Sequence, residues 1–177
     1  MFFADGFEEM EAIAPVDLLR RAGVEVCTVG VGKKLVRGAH SILLETDVEQ
    51  SFAVLENLEG VVLPGGQKGV EGLAASPVVY KAVRFAAEQK KMLAAICAGP
   101  SVLGQMGLLS GVKATCYPGF EEQLKGAQVT SVGVCIDQNM ITARGAGVAT
   151  EFALALVAYL KGQDEAIRLA GEIQCGR

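Results

Sequence analysis

The sequence has one histidine, His40, and no two of its cysteines lie closer than 19 residues. It offers no CxxC pair and no finger spacing, which argues against a zinc site. No basic run exceeds two residues, as at Lys33-Lys34 and Lys90-Lys91, and 16 Lys+Arg against 20 Asp+Glu leave a formal charge of -4. A nucleic-acid footprint is therefore missing, and nucleic acid is not expected as a partner. The longest strongly apolar stretch, Phe152 to Leu160, falls far short of the roughly 20 residues of a membrane helix. The acidic opening Asp5, Glu8, Glu9 is unlike a signal peptide. No membrane partner and a cytoplasmic location are expected. A reducing compartment keeps Cys27, Cys97, Cys116, Cys135 and Cys175 free, each either a small buried hydrophobe or a nucleophile.

What is present fits one soluble globular domain over 1–177, with 51% hydrophobic and 20% charged residues. Short β-rich runs alternate with amphipathic stretches. The expected order is strand Phe2-Ala4, helix Glu8-Ala22, strand Val24-Val31, strand Ile42-Glu45, a short helix near Ser51-Leu55, then strand Gly60-Leu63. Ser76-Pro77 caps a helix to about Lys90, Met92-Ile96 reads as a fully buried strand, and a helix follows from Gly99 to about Met106. Lys113-Cys116 is a brief strand, Val132-Asp137 and Met140-Ala143 form a hairpin, and helices Gly147-Lys161 and Asp164-Glu172 close the chain. This alternation predicts an α/β fold, a mostly parallel doubly wound sheet with helices on both faces. The first strand is unusually short, so either a sheet edge is trimmed or the start codon lies upstream.

The segment Leu93-Ala94-Ala95-Ile96-Cys97-Ala98-Gly99-Pro100 runs an apolar strand into a cysteine and opens a helix within three residues. That is the strand-turn-helix of a nucleophile elbow with cysteine in place of serine. A helix N-terminus favours a thiolate; a buried cysteine ending a core strand is the equally weighted alternative. Glu8 and Glu9 fall in the first turn of a helix, where the dipole alone accounts for carboxylates. Glu11 differs, because it shares a face with Phe7, Ala14 and Leu18. Burial there would raise its pKa and leave it able to donate a hydrogen bond to a nearby thiolate.

Val61-Val62-Leu63-Pro64-Gly65-Gly66 ends a strand in a turn whose N–H groups can face a crevice, either as an oxyanion hole or as a plain turn. No Gly-Lys-Ser/Thr follows, and Gly145 to Thr150 lacks the context of a dinucleotide fingerprint. No cofactor is expected.

Together FADGFEEMEA, VVLPGG, AAICAGP and ARGAGVATEFAL resemble the ThiJ/PfpI superfamily, in the branch of the parkinsonism-associated protein deglycase. The resemblance implies a flavodoxin-like domain that forms a homodimer. It also implies roles: Cys97 as nucleophile and oxidation site, Glu11 as its protonated partner, and Gly65 and Gly66 as oxyanion donors. Arg21 and His40 match basic positions near the pocket and the dimer contact. Two positions depart. Ala98 stands where protease-like members carry histidine, so a Cys-His dyad is absent. Tyr117, before Pro118, stands where glyoxalase and deglycase members carry histidine, and tyrosine is a poor base at pH 7. Two functions are implied: a glyoxalase or deglycase acting on methylglyoxal, another small aldehyde or a glycated adduct, and a redox sensor or chaperone-like protein using the same cysteine.

Overall fold

The computed structural model describes residues 1–175. One four-stranded sheet has β6 (Gly60–Leu63), β7 (Met92–Ile96) and β11 (Met140–Ala143) parallel, with β10 (Val134–Asp137) antiparallel at its edge. A three-stranded parallel sheet is ordered β1 (Phe2–Phe3), β2 (Val29–Gly30), β5 (Val48–Glu49), and β1 lies against β6. The hairpin of β3 (Leu35–Arg37) and β4 (Leu43–Glu45) and the short pair β8 (Lys113–Ala114) and β9 (Gln128–Val129) complete the strands.

Strand β7 shows how the sequence makes this arrangement. All five residues are apolar because both faces are covered. Leu93 and Ala95 enter one core, with Val79, Ala82 and Val83 of α3 (Pro77–Glu88) and Val70 and Leu73 of α2 (Gln67–Ala75). Met92, Ala94 and Ile96 point the other way, into a second core with Leu18 and Leu19 of α1 (Glu9–Arg21), Phe152 and Leu156 of α5 (Ala149–Lys161) and Leu169 of α6 (Gln163–Glu172). The first short helix after β7 is α4 (Pro100–Gln105). Helix α3 starts as expected: Pro77 sits in its first turn, and the Ser76 hydroxyl accepts the Val79 N–H at 3.3 Å.

Several expected bounds shift. The run Val24-Val31 forms a ladder only at Val29–Gly30, because a ladder cannot outrun its partner and β1 is two residues long. That strand pairs with β2 at one end of the three-stranded sheet and lies against β6. Strands β3, β5 and β9 span only two or three residues, too few for an alternating signal to stand out. Helix α2 escaped because Gly69 and Gly72 depress its helix propensity. Contact sets it instead: a Cβ at Gly69 would lie 2.8 Å from the Phe7 Cα, and one at Gly72 2.7 Å from the Ala4 Cβ. Among the described residues, no helix is long and apolar enough to cross a membrane.

Candidate active site

Cys97 leaves the end of β7 with φ 65°, the left-handed region that a non-glycine residue enters at a cost of about 1–2 kcal/mol. Its neighbours fix it there. The Cys97 N–H donates to the Ala143 carbonyl at 2.8 Å, the Tyr117 N–H donates to the Cys97 carbonyl at 2.9 Å, and the Gly99 N–H turns back to the Ile96 carbonyl at 2.8 Å. Gly99 is required by the tightness of this turn, because a Cβ would stand 2.6 Å from the Leu63 carbonyl oxygen. The Cys97 side chain is thereby lifted out of the strand plane, and it is half-buried.

Glu11 reaches the same point from the first turns of α1 and is 1% exposed. Its Oε2 accepts the Gly65 N–H at 2.9 Å, while Oε1 has no hydrogen-bond partner. The Cys97 thiol and the Ala146 N–H face this carboxyl. Gly65 allows the approach: a Cβ there would come 2.5 Å from Glu11 Oε2 and 2.6 Å from the Cys97 Cβ. Burial pushes the Glu11 carboxyl up to about 7. Burial, and then the charge of Glu11, push the Cys97 thiol up to about 12, against the pull of the Ala98 and Gly66 N–H groups.

These groups must therefore be read as a pair that shares one negative charge. With Glu11 ionised, the thiol keeps its proton. With Glu11 protonated, the repulsion disappears, and the carboxyl that the Cys97 thiol faces becomes an O–H donor. Helix α4 is only six residues long, and burial is the larger influence on the thiol, so of the features expected to favour a thiolate the carboxyl of Glu11 matters more than the helix N-terminus. The two expected oxyanion donors, Gly65 and Gly66, are differently placed. The Gly65 N–H is committed to Glu11, whereas the Gly66 and Ala98 N–H groups point to the sulfur.

The other expected site residues separate. Tyr117 touches the elbow through its backbone, and its half-exposed side chain stands over Gly145. His40 lies at the start of α1 against Glu9, with its ring Nδ1 2.9 Å from Glu9 Oε2. Arg21 is not brought to the pair: it binds Asp17 at 2.8 Å and faces Glu172 at 3.7 Å. Ten helical residues separate it from Glu11, roughly 15 Å along the axis. Arg21 instead lines a cavity of about 410 Å³ with Ala14, Leu18 and Thr150. Cys116, buried and pushed up to about 11 by burial and by Glu121, borders another cavity of about 330 Å³ with Pro118 and Arg144. Sequence reasoning missed Ala146, although its signal was the glycine-bracketed Gly145-Ala146-Gly147 run set aside as a failed dinucleotide fingerprint. It also missed Ala143, whose carbonyl holds the elbow from the next strand.

Comparison with known proteins agrees with this geometry. The model of the DJ-1/PfpI family matches residues 1–159. Protein DJ-1 homolog B of Arabidopsis thaliana is 37% identical over 169 residues, which are 94% of this chain but 39% of that protein, so the chain spans well under half of that relative. The Parkinson disease protein 7 homolog of Danio rerio is 34% identical over 174 residues, 96% of this chain and 92% of that protein. The glutathione-independent glyoxalase DJR-1.2 of Caenorhabditis elegans is 30% identical over 160 residues, 89% of this chain and 85% of that protein. Among solved structures, oxidized Toxoplasma gondii DJ-1 superimposes with a TM-score of 0.95 at 32% identity, over 99% of this chain and 97% of that one. The flavodoxin-like α/β fold, the elbow cysteine and the match across nine-tenths of the sequence lead to one assignment: this chain belongs to the DJ-1/PfpI family.

Proposed function

We propose that the chain is a cofactor-free stress protein of the glyoxalase or deglycase type, acting on methylglyoxal or its adducts through Cys97. The observation that carries this reading is the orphaned Glu11 Oε1 beside a thiol held in left-handed backbone. A buried carboxyl that titrates near neutral pH is poised to move protons next to a nucleophile. The glyoxalase name of the Caenorhabditis elegans relative supports the same chemistry.

In this reading the thiolate adds to the aldehyde carbon of methylglyoxal, forming a C–S bond while the carbonyl oxygen takes the electron pair and then a proton from Glu11. The Gly66 and Ala98 N–H groups, which face the Cys97 sulfur, are proposed to donate to that oxygen. Glu11, now a carboxylate, removes the proton from the hemithioacetal carbon and returns it to the neighbouring carbon. The product is a thioester, which water cleaves to lactate and free thiol. No oxidant or metal is consumed. The protein is proposed to work in the cytoplasm as a homodimer. Exposed Met10 and Ile13 on α1, with Ile42 and Leu43 beside the β3–β4 hairpin, provide an apolar face for a second copy.

Lactate release from methylglyoxal by dialysed protein tests the reading. Wild type should form lactate slowly and Cys97→Ser none. Tyr117→His should raise kcat, by up to about 10²-fold where the new imidazole reaches the transferred proton. The second reading, a redox sensor, is favoured by the same orphan oxygen, which would hydrogen-bond a sulfinate on Cys97, and by the likeness to an oxidized relative. If no variant forms lactate while peroxide converts Cys97 alone to the sulfinate, the sensor reading replaces the enzyme.

A further inference from the structure

The cavity of about 330 Å³ beside Cys116 adjoins the two segments that hold the elbow. Tyr117 donates to the Cys97 carbonyl at 2.9 Å and Ala143 accepts the Cys97 N–H at 2.8 Å. Their neighbours in sequence, Cys116 and Arg144, line the cavity. Small-ligand sites run from about 300 to 1,000 Å³, so this one suits a molecule of few heavy atoms.

Two opposite charges stand in its walls without pairing. Arg144 donates from one amino group to the Ser131 carbonyl at 3.2 Å, which leaves the rest of its N–H fork open to an acceptor. Glu121 accepts the Gly119 N–H with Oε2 at 2.6 Å and keeps Oε1 for a donor. Among the described residues neither side chain has an ion-pair partner within 4.0 Å, although both line the same cavity. Burial, and then the charge of Glu121, push the Cys116 thiol up to about 11, so the carboxylate acts inside the cavity and the thiol there stays neutral at pH 7. The Thr130 hydroxyl adds a polar group that is weakly engaged, since it lies 3.5 Å from the Ala114 carbonyl. Pro118 and Val129 supply an apolar wall.

We propose that this cavity binds a small zwitterionic α-amino acid. Its carboxylate meets the Arg144 guanidinium, its ammonium meets Glu121, and an apolar side chain lies against Pro118 and Val129. A ligand with one charge leaves the opposite protein charge unmatched, whereas a zwitterion serves both. The site shares no residue with the apolar face proposed for a second copy. It takes no part in the steps at Cys97 and holds whether or not the chain is a glyoxalase.

Amide NMR spectra of the full chain titrated with L-valine test the site. The Cys116, Thr130 and Arg144 signals should shift saturably, at one molecule per chain. Isovalerate lacks the ammonium of valine and isobutylamine lacks its carboxylate; each should bind about tenfold more weakly or worse, the loss of one charge-assisted contact. This comparison uses the unaltered protein, so it does not depend on the folding of a variant. In Glu121→Gln, valine should weaken to the level of isovalerate while isovalerate itself is unchanged. In Arg144→Gln, valine should weaken to the level of isobutylamine. Equal binding of valine and isovalerate would reduce the cavity to an anion site, and equal binding of valine and isobutylamine to a cation site; either result rejects the proposal. Shifts that fail to saturate, or that fall away from these residues, reject it as well.

Discussion

Glu9 and Glu11 stand two residues apart in the first turns of α1, and both are buried, at 6% and 1% exposure. Two helical steps rotate them by about 200°, so they face opposite neighbours. Glu9 meets the 38–42 loop. There burial opposes its charge, but the His40 ring and the N–H groups of His40 and Ile42 outweigh it and hold the carboxyl below its ordinary range. Glu11 meets the elbow. There burial wins over the Cys97 thiol and the Gly65 and Ala146 N–H groups that face the carboxyl, and Oε1 stays without a hydrogen-bond partner. Two glutamates of one helix thus have opposite charge preferences: at Glu11 burial outweighs the donors, and at Glu9 the donors outweigh burial. The region whose oxygens are paired keeps its negative charge; the region with an orphan is suited to move a proton.

The contrast breaks most visibly in turnover. Replacing Glu11 by leucine or by glutamine should cost about 10²–10⁴-fold in lactate formation, the usual contribution of a placed general acid or base. The two variants should then part company in thiol chemistry. An amide can still donate to sulfur and carries no charge, so Glu11→Gln should keep fast alkylation of Cys97 by iodoacetamide at pH 7. An alkyl group cannot donate, and Glu11→Leu should slow alkylation by about tenfold, the worth of one hydrogen bond. Lactate formation that survives in Glu11→Gln removes Glu11 from proton transfer and leaves it only as a donor.

The next effect is in stability against pH. The ordinary glutamate carboxyl titrates near 4.5 and the folded Glu11 carboxyl at about 7. Between those values the native state holds a proton that the unfolded chain has released, so stability falls as pH rises through the window, by about 3 kcal/mol for this group. Urea denaturation at pH 5, 6, 7 and 8 should show that fall in wild type and lose it in Glu11→Gln. His40, raised by its bond to Glu9, also destabilises the fold as pH rises above 6.5, but it does so equally in both proteins and cancels in the difference. A variant whose stability falls as steeply as that of wild type places the titration elsewhere.

This pair of carboxylates also marks how far sequence reading reaches. Glu11 was legible because it interrupts an apolar helix face, and Cys97 because an apolar strand runs straight into it before a glycine and a proline. The strands β6, β7, β10 and β11 were legible for the same reason: continuous or alternating burial leaves a periodic trace. Glu9 gave no such trace, since a carboxylate in a first helical turn is explained by the dipole alone. Its partner His40 lies in a loop whose path is set by backbone contacts such as the Ala39 N–H to the Phe7 carbonyl at 2.8 Å. The engagement of the Gly65 N–H by Glu11 was hidden likewise, because only the fold brings the two together. Composition and period report burial; they do not report which donor finds which acceptor across 30 or 50 residues.

The smallest expected effect sharpens the comparison from the Glu9 side. Glu9→Gln keeps the shape and one acceptor oxygen but gives up a charged acceptor for the His40 ring and backbone, worth about 1 kcal/mol at a site whose partner is largely exposed. The pH dependence should be opposite to that of Glu11. A carboxyl whose folded pKa is depressed stabilises the native state above the ordinary value of 4.5 and loses that contribution as pH falls through the folded value. The stability gap between wild type and Glu9→Gln should therefore be open at pH 6–7 and close only on acidification below 4.5, as the wild-type carboxyl takes up its proton in the folded chain. Should the gap instead widen on acidification, Glu9 would be protonated in the folded chain, its donors would not outweigh burial, and the two carboxylates of α1 would no longer differ in kind.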